Sequence, residues 1–245
     1  MINSFSGYFS TVVKHGQTVP SRFGSTIEMP QPLSITFDAG DMVSRRGINY
    51  DIGWIELLQL VAGIYEPQAF ARVAPNANLE LFTSKMAYGP RIRWQMIPVI
   101  EALRIEPNTR QAVVFIGHPD DGPTSDLPCT ISIQFLRRAS HINASVSMRS
   151  WDLVKGMAYD VMMFGGLTQV VANCLGLLPG KVTVTAGSAH IYESEIEFAP
   201  KPLDRQFKIS RSIGSTWFDY VVWAAEQSST LERHAPIPGI QIHKR

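Results

Sequence analysis

The segment of residues 127–160 constrains this chain most, because it places a cysteine, an arginine and a carboxylate at fixed intervals along two predicted strands and a helix. Apolar and β-branched residues fill 131–135 and 142–148, which predicts two strands joined by a short turn. In an antiparallel pair the start of the first strand lies beside the end of the second, so Cys129 and Arg149 are expected to meet. A guanidinium beside a thiol favours the thiolate. The segment therefore predicts a nucleophilic cysteine.

Size, charge and cysteine content exclude several classes of protein. A chain of 245 residues suits one domain, and we expect residues 1–245 to form a single catalytic domain. A net charge of +1 gives no basic face for duplex nucleic acid. Two cysteines form no disulfide framework, and the sequence contains neither a leader-like N-terminus nor a run of about 18 apolar residues. These features predict a cytoplasmic protein without a membrane segment.

Three other side chains stand in patterns that suggest chemistry. Glu56 lies in a predicted apolar helix, 52–62, that ends at Gly63. Burial there would raise its pKa toward neutrality, as a general acid or base requires, although a surface glutamate is the ordinary alternative. His190 and Tyr192 alternate along a predicted strand and so share one face, where a structural histidine is the alternative.

Helices and strands mix along the chain, which predicts the α+β class. Outside the segments already described, the patterns predict helices at 7–15, 97–103 and 159–175, and strands at 25–29, 33–37, 111–116, 181–186, 191–198 and 207–210. They predict a loop at 19–25 that carries Arg22, a turn at 177–180, and a loop with a short helix at 66–85. No Cys/His set has metal-ligand spacing, so no metal is expected.

These residues together resemble the motifs of the thymidylate synthase superfamily. The nucleophile motif appears as Pro128, Cys129, Gln134 and Phe135, the phosphate motif as Arg149, Ser150 and Asp152, and a third motif as Gly187, His190 and Tyr192. Further matches are Arg22, Glu56, Tyr88-Gly89, Arg110 and Pro238-Gly239-Ile240. The resemblance implies a single-domain thymidylate synthase-like fold, with a mixed sheet flanked by helices and the sheets of two subunits packed back to back.

The resemblance also implies a role for each matching residue. Cys129 would add to carbon 6 of a pyrimidine nucleotide, and Glu56 would organise water and proton transfers. Substrate-binding positions would be Arg22, Arg149, Ser150, Asp152, His190 and Tyr192, together with Arg110 from the partner of a homodimer. The co-substrate would be 5,10-methylenetetrahydrofolate, bound by Ile92, Trp94 and Asp152. Gln111 stands where relatives have a second arginine, which removes one charge from the phosphate cluster.

Four departures from ordinary thymidylate synthases point to a different substrate and product. Asp160 replaces the asparagine that reads uracil, and Thr130, Met148 and Ile92 replace a histidine, a glutamine and a tryptophan. At all four the sequence is similar to bacteriophage deoxycytidylate hydroxymethylases. A protonated carboxyl group can donate to the ring nitrogen of cytosine while accepting from its amino group. The resemblance thus implies hydroxymethylation of dCMP or CMP, as in phage DNA modification in a host cytoplasm.

Other functions stay open at this point. The cytosine nucleotide could be reductively methylated, or the protein could be a thymidylate synthase that acts on dUMP. Asp160 could also be an ordinary aspartate at a helix N-terminus, where the dipole favours it. An inactive homologue that binds nucleotide or messenger RNA is a fourth hypothesis, against which the intact Cys129, Glu56 and Arg149 argue.

Overall fold

The computed structural model describes residues 5–76, 83–122 and 127–244, with the backbone alone for 202–204. The α-helices in these ranges are Phe5–His15 (α1), Tyr50–Ala62 (α2), Pro67–Val73 (α3), Tyr88–Ile92 (α4), Met96–Ile105 (α5), Met157–Cys174 (α6) and Trp217–Thr230 (α7). The strands are Gln17–Ser21 (β1), Gly24–Glu28 (β2), Leu33–Asp38 (β3), Asp41–Ser44 (β4), Val113–Phe115 (β5), Thr130–Arg138 (β6), His141–Asp152 (β7), Leu178–Tyr192 (β8), Lys201–Ile209 (β9) and Ile240–Lys244 (β10). Short 3-10 turns span Pro119–Asp121, Glu193–Phe198 and Arg211–Ile213.

One large mixed sheet carries the architecture. Its strands follow the order β1-β2-β8-β7-β6-β5, and β3 pairs with the other half of β8. The β7 and β8 strands run parallel, whereas the other pairs are antiparallel. A second sheet has the order β10-β9-β4. The predicted α+β class, with a mixed sheet flanked by helices, is confirmed.

Helix α6 forms the centre of the core and is buried along almost its whole length. It packs closely against α2, since a Cβ atom at Gly166 would overlap the side chain of Leu57. This close approach sets Asp160, in the first turn of α6, near Glu56 of α2. No helix in the described part of the chain combines the length and the apolarity needed to cross a membrane.

Helix α2 ends where the sequence predicts. Gly63 adopts a left-handed conformation with φ of 69°, and its N–H donates to the carbonyls of the last turn. At the other end, the Asn49 side chain accepts from the N–H of Asp51 at 3.1 Å. The cap residues thus fix the register of the helix that carries Glu56.

The predicted loop at 19–25 is wrong, because most of it belongs to a β-hairpin. Strands β1 and β2 pair from Gln17↔Glu28 to Ser21↔Gly24, which leaves Arg22 and Phe23 at the tip. Pro20 is tolerated because β1 lies at the edge of the sheet, where a missing N–H costs little. Gly24, with φ of 115°, allows the chain to reverse.

The predicted turn at 177–180 and the predicted strand at 191–198 are also wrong. Strand β8 runs unbroken from Leu178 to Tyr192, and Glu193–Phe198 is a 3-10 turn. Pairing with β7 from His141↔Leu178 to Asp152↔His190 outweighs the turn preference of Pro179 and Gly180. Within the stretch 66–85, α3 is the short helix, and residues 77–82 lie outside the described residues.

Candidate active site

The pairing of β6 with β7 brings Cys129 and Arg149 together. The Arg149 N–H donates to the Cys129 carbonyl at 2.8 Å. The Arg149 guanidinium donates from Nε to the Pro128 carbonyl at 3.1 Å and from Nη2 to the Leu127 carbonyl at 2.7 Å. These three bonds hold the strand entry that carries the thiol against the end of β7.

The thiol does not become a thiolate merely by lying near Arg149. Burial raises the pKa of Cys129 above its usual value, and this effect exceeds the lowering by Arg149. The carboxylates of Asp160 and Asp152 raise it further. Burial therefore opposes the activation of the thiol by the guanidinium that the sequence predicts, and the nucleophilic role of Cys129 stays a prediction.

The phenol of Tyr88 lies within electrostatic range of the Cys129 thiol, since burial and then the charges of Asp160 and Cys129 raise the pKa of Tyr88. Its hydroxyl accepts the Thr130 backbone N–H at 3.2 Å and the Thr130 Oγ1 hydroxyl at 3.1 Å. Two accepted bonds use the lone pairs of the oxygen, so its own proton can be donated elsewhere. Tyr88 also lines a cavity between α2, α4 and α6, together with Glu56 and Asp160.

The cavity has a volume of about 210 Å³, and its walls are apolar side chains with a few acidic and hydroxyl groups. The apolar walls include Leu60, Phe70 and Met163, and the polar groups include Glu56, Tyr88 and Asp160. Pockets that enclose a drug-sized ligand start at about 300 Å³. This space is therefore smaller than a pocket that encloses a drug-sized ligand, and Cys129 is not among its lining residues.

Two carboxyl groups in the cavity wall are held in an unusual protonation range. Burial raises the pKa of Glu56 from its ordinary 4.5 to about 8, and the charge of Asp160 adds to this rise. Burial likewise raises the pKa of Asp160 to about 7, with Asp152 adding to the rise. Both groups can therefore give or take a proton near neutral pH, which is the requirement for acid and base catalysis.

Trp151 fixes the orientation of the Asp160 carboxyl group. Its indole Nε1–H donates to Asp160 Oδ2 at 2.9 Å, and this bond lowers the pKa of Asp160 against the effect of burial. The indole ring is 1% exposed, so it cannot swing away without disturbing the core. Trp151 thus binds Oδ2 of the carboxyl group, and Oδ1 takes no part in this hydrogen bond.

A second cluster of polar residues lies at the ends of β7 and β8. His190 Nδ1 lies 3.4 Å from the Ser150 hydroxyl, and the His190 and Tyr192 rings meet edge to face with centroids 5.5 Å apart. Asp152 Oδ1 accepts the backbone N–H groups of Val154 at 2.8 Å and of the following lysine at 3.0 Å. Asp152 thus shapes the turn that leads into α6, and it also influences the pKa of Cys129 and Asp160.

Residues 86–214 match the thymidylate synthase family, and this range covers more than half of the chain. The chain belongs to the thymidylate synthase family. Two similar proteins are the thymidylate synthases of Listeria monocytogenes serotype 4a (strain HCC23) and serotype 4b (strain F2365). Each is 29% identical over 153 residues, which are 60% of this chain and 48% of the relative. The chain thus spans about half the length of the curated relatives that it matches.

The residues that the sequence predicts as phosphate ligands of this thymidylate synthase family member differ in exposure and position. Arg22 is exposed at the tip of the β1–β2 hairpin, with its guanidinium 5.1 Å from the centre of the Phe23 ring. Arg149 and Ser150 lie at the end of β7, where the thiol is. Arg110 is exposed just before β5, and its carbonyl accepts from Gln134 Nε2 at 2.8 Å.

The structure does not place Ile92 and Trp94 in the cavity wall. Ile92 is completely buried, because it packs with the inner side of α4 against the core, and Trp94 is 78% exposed. The Arg93 guanidinium stacks on Trp94 with 4.9 Å to the ring centre. The predicted contact of Ile92 and Trp94 with folate stays a prediction.

Two residues of the site received no role from the sequence. Tyr88 matched a family motif, but its bonds to Thr130 beside the thiol depend on how α4 packs on β6. Trp151 stands between two motif residues, and its contact with Asp160 needs the turn at 153–156 to fold back. The only sequence signal for Trp151 is a large donor-bearing side chain inside the phosphate motif.

We expect Glu56→Gln to stabilise the fold increasingly as pH rises. Because the folded-state pKa of Glu56 is about 8 against an ordinary 4.5, the folded protein binds more protons between these values. The free energy of unfolding contributed by this group therefore falls as pH rises through that window. Thermal unfolding at about pH 9 should show a Tm several degrees higher for Glu56→Gln, with a much smaller gain at about pH 5.

A matched control is Glu106→Gln, since Glu106 is exposed and follows α5. It should show no comparable rise in Tm between the two pH values. If the Tm difference between Glu56→Gln and the wild type were the same at both pH values, Glu56 would not be a buried carboxyl group with a raised pKa.

Proposed function

We propose that this protein transfers a one-carbon unit from 5,10-methylenetetrahydrofolate to carbon 5 of a cytidylate nucleotide and completes the reaction with water. The product would be 5-hydroxymethyl-dCMP or 5-hydroxymethyl-CMP. The observation that carries the proposal is Asp160, a carboxyl group with a pKa of about 7 in the wall of the cavity beside Glu56 and Tyr88. Family membership supports the one-carbon transfer, and Asp160 supports cytosine.

Asp160 suits cytosine because it can give away a proton. Attack by the Cys129 sulfur on carbon 6 forms the S–C6 bond and breaks the C5=C6 double bond. The electron pair moves through carbon 4 to ring nitrogen 3, which takes the proton of Asp160. Carbon 5 then becomes an enamine carbon that can attack an electrophile. Uracil already carries a proton on nitrogen 3, and an amide, which holds its protons tightly, suffices to bind it.

Carbon 5 would attack the electrophilic carbon of methylenetetrahydrofolate and form a new C–C bond. Carbon 5 would then lose its proton to a base, the bond between the transferred carbon and the folate nitrogen would break, and tetrahydrofolate would leave a methylene group on carbon 5. Residues of this chain supply the proton transfers. Glu56, with its pKa of about 8, would organise water near the ring and exchange protons with it. Water adds to the methylene carbon, carbon 5 and carbon 6 regain their double bond, Cys129 leaves, and nitrogen 3 returns its proton to Asp160.

The methylene group on carbon 5 could react with water or with hydride, and we assign this choice to α4. Where ordinary family members are expected to have a tryptophan that shields the methylene group, this chain has Ile92. Ile92 is completely buried on α4, the helix that begins at Tyr88, so it would act by taking up less space there than a tryptophan does. Less shielding leaves more room for water, which favours the hydroxymethyl product.

A second candidate function is thymidylate synthesis from dUMP. The two relatives from Listeria monocytogenes carry the name thymidylate synthase, and this observation favours the second candidate. Cys129, Glu56 and Arg149 would have the same roles in both reactions. The two functions differ at Asp160 and in the fate of the methylene group.

We further propose that two copies pack through the exposed face of the large sheet and share their sites. Hydroxyl pairs cover part of this face, with Ser34 and Thr185 at 2.8 Å and Thr36 and Thr183 at 2.9 Å. Such short polar side chains allow a close approach of two sheets. Arg110 of one copy would then reach the phosphate of the other, which Arg22, Arg149 and Ser150 bind. A fully active monomer by light scattering would contradict this arrangement.

The test is the mass of the product formed from dCMP, CMP and dUMP with methylenetetrahydrofolate present. We expect a gain of one CH₂O unit on a cytidylate, with dUMP used at least about tenfold less well. A gain of one CH₂ unit on dUMP as the main reaction would establish thymidylate synthesis instead. A CH₂ gain on cytidylate would retain the substrate and overturn the role of water.

A further inference from the structure

The hydrogen bond from Trp151 to Asp160 has a consequence for which base the site accepts. A protonated carboxyl group has one donor and one acceptor oxygen, and free rotation would exchange them. Cytosine presents an acceptor at nitrogen 3 and a donor at its amino group. Uracil presents a donor at nitrogen 3 and an acceptor at oxygen 4. A carboxyl group that could exchange its two oxygens would therefore pair with either base.

Trp151 prevents this exchange. Its indole nitrogen can donate but never accept, and it donates to Oδ2 at 2.9 Å. The carbonyl oxygen of a carboxylic acid is a better acceptor than its hydroxyl oxygen, so the bond keeps the proton on Oδ1. Trp151 is itself fixed, because it is 1% exposed and pairs within the sheet with Ala189 of β8.

We propose that Trp151 is a specificity-determining positioning residue, which makes Oδ1 of Asp160 the donor and Oδ2 the acceptor. Oδ1–H then faces nitrogen 3, and the second lone pair of Oδ2 accepts from the amino group of cytosine. Uracil meets a donor against its N–H and an acceptor against its carbonyl. This inference rests on the proposed binding of a pyrimidine at Asp160 and deepens it.

Several titratable groups act on Asp160 besides Trp151 and must be considered in any pH profile. They are Asp152 at the end of β7, Glu56 on α2, Tyr88 on α4 and Cys129 before β6. Of the effects on Asp160 itself, burial and Asp152 raise its pKa, whereas the Trp151 bond lowers it. Removal of the indole N–H should therefore move the ionisation of Asp160 to higher pH.

The test compares Trp151→Phe with a variant that has 3-benzothienylalanine at position 151, which keeps the shape of the indole but has no N–H. The measurement is kcat/KM for dCMP and dUMP between about pH 6 and 9. We expect the ratio of the two kcat/KM values to move toward unity by about tenfold in both variants. The fall in dCMP activity at alkaline pH should also shift to higher pH.

Trp223→Phe is the matched control, because Trp223 is also buried and donates its indole N–H to the Pro238 carbonyl at 2.8 Å, outside the cavity wall. This variant should leave unchanged both the ratio of the kcat/KM values for dCMP and dUMP and the pH at which dCMP activity declines. If both Trp151 variants lower kcat/KM for dCMP and for dUMP equally, and the alkaline decline of dCMP activity stays at the same pH, Trp151 is only structural and the proposal fails. The benzothienyl variant decides the matter if Trp151→Phe does not fold.

A double variant separates this proposal from the proposed function. In Asp160→Asn the amide oxygen should stay on Trp151, which keeps the NH₂ group in the place of Oδ1. Adding Trp151→Phe frees the amide to rotate, and dUMP activity should rise about tenfold over Asp160→Asn alone. No rise would overturn the role of Trp151. A wild type that prefers dUMP would overturn the cytidylate function, yet the ratio change in the Trp151 variants would still support its positioning role.

Discussion

Cys129→Ser is expected to abolish product formation and the exchange of the carbon 5 proton, with a loss on the order of 10⁴-fold or more. A serine hydroxyl has a far higher pKa than a thiol and is a much weaker nucleophile at neutral pH. Carbon 5 becomes reactive only after addition to carbon 6, so both the transfer and the exchange depend on the same sulfur. The measurement is tritium release from carbon 5 of labelled nucleotide, together with the thermal stability of the variant.

Burial raises the pKa of the Cys129 thiol, which adds a pH dependence to this prediction. In the free enzyme the thiolate fraction, and with it alkylation by iodoacetamide, should increase as pH rises above neutrality. The Asp160 acid loses its proton as pH rises through about 7, so the two groups require opposite changes. A bell-shaped profile of kcat/KM is the expected result.

Cys174→Ser provides the control for the nucleophile. Cys174 is buried near the end of α6, its carbonyl accepts from Arg104 Nη2 at 3.1 Å, and burial raises the pKa of its thiol to about 12. It lies in no described part of the cavity wall. The variant should keep its activity and lose only some stability. If Cys129→Ser exchanges the carbon 5 proton at the wild-type rate, covalent catalysis by Cys129 is excluded.

Asp160→Asn is expected to lower kcat on a cytidylate by about 10²- to 10⁴-fold, the range for loss of a general acid. The amide can still donate a hydrogen bond to nitrogen 3, but it cannot transfer its proton there. We therefore expect a larger change in kcat than in KM. The residual rate should also lose the alkaline decline that ionisation of Asp160 causes in the wild type, since an amide does not titrate.

Asp120→Asn is a matched control, because Asp120 is exposed in the 3-10 turn at Pro119–Asp121 and is not part of the cavity wall. It should leave kcat and the pH profile unchanged. The measurement is the steady-state rate on dCMP and dUMP between about pH 6 and 9. An Asp160→Asn enzyme with wild-type kcat on dCMP would show that no proton passes from position 160, and the cytidylate mechanism would then be wrong.

Local patterns in the sequence determined the elements that hold the nucleophile. Alternation in β6 and β7 and the short turn between them predicted that Cys129 and Arg149 meet, and the backbone bond at 2.8 Å joins them. The apolar run before Gly63 predicted α2 and its end. Such features follow from neighbouring residues, because period, cap and turn act within a few positions.

Only the tertiary structure determined the properties that depend on distant contacts. The extent of β8 follows from its pairing with β7, the hairpin at β1 and β2 from its place on the sheet edge, and the burial of Ile92 from the packing of α4. No local pattern encodes these contacts, since each joins segments far apart in the chain.

The chemistry of the site divides in the same way. The sequence by itself determined which reactive groups are present, namely Cys129, Glu56 and Asp160, because their identity is written in the chain. Their protonation was decided by burial, which raises all three pKa values and outweighs the nearby Arg149 at the thiol. The donor on Trp151 that orients Asp160 likewise exists only after the turn at 153–156 folds. Desolvation and orientation are sums over the surrounding atoms, so only the folded chain defines them.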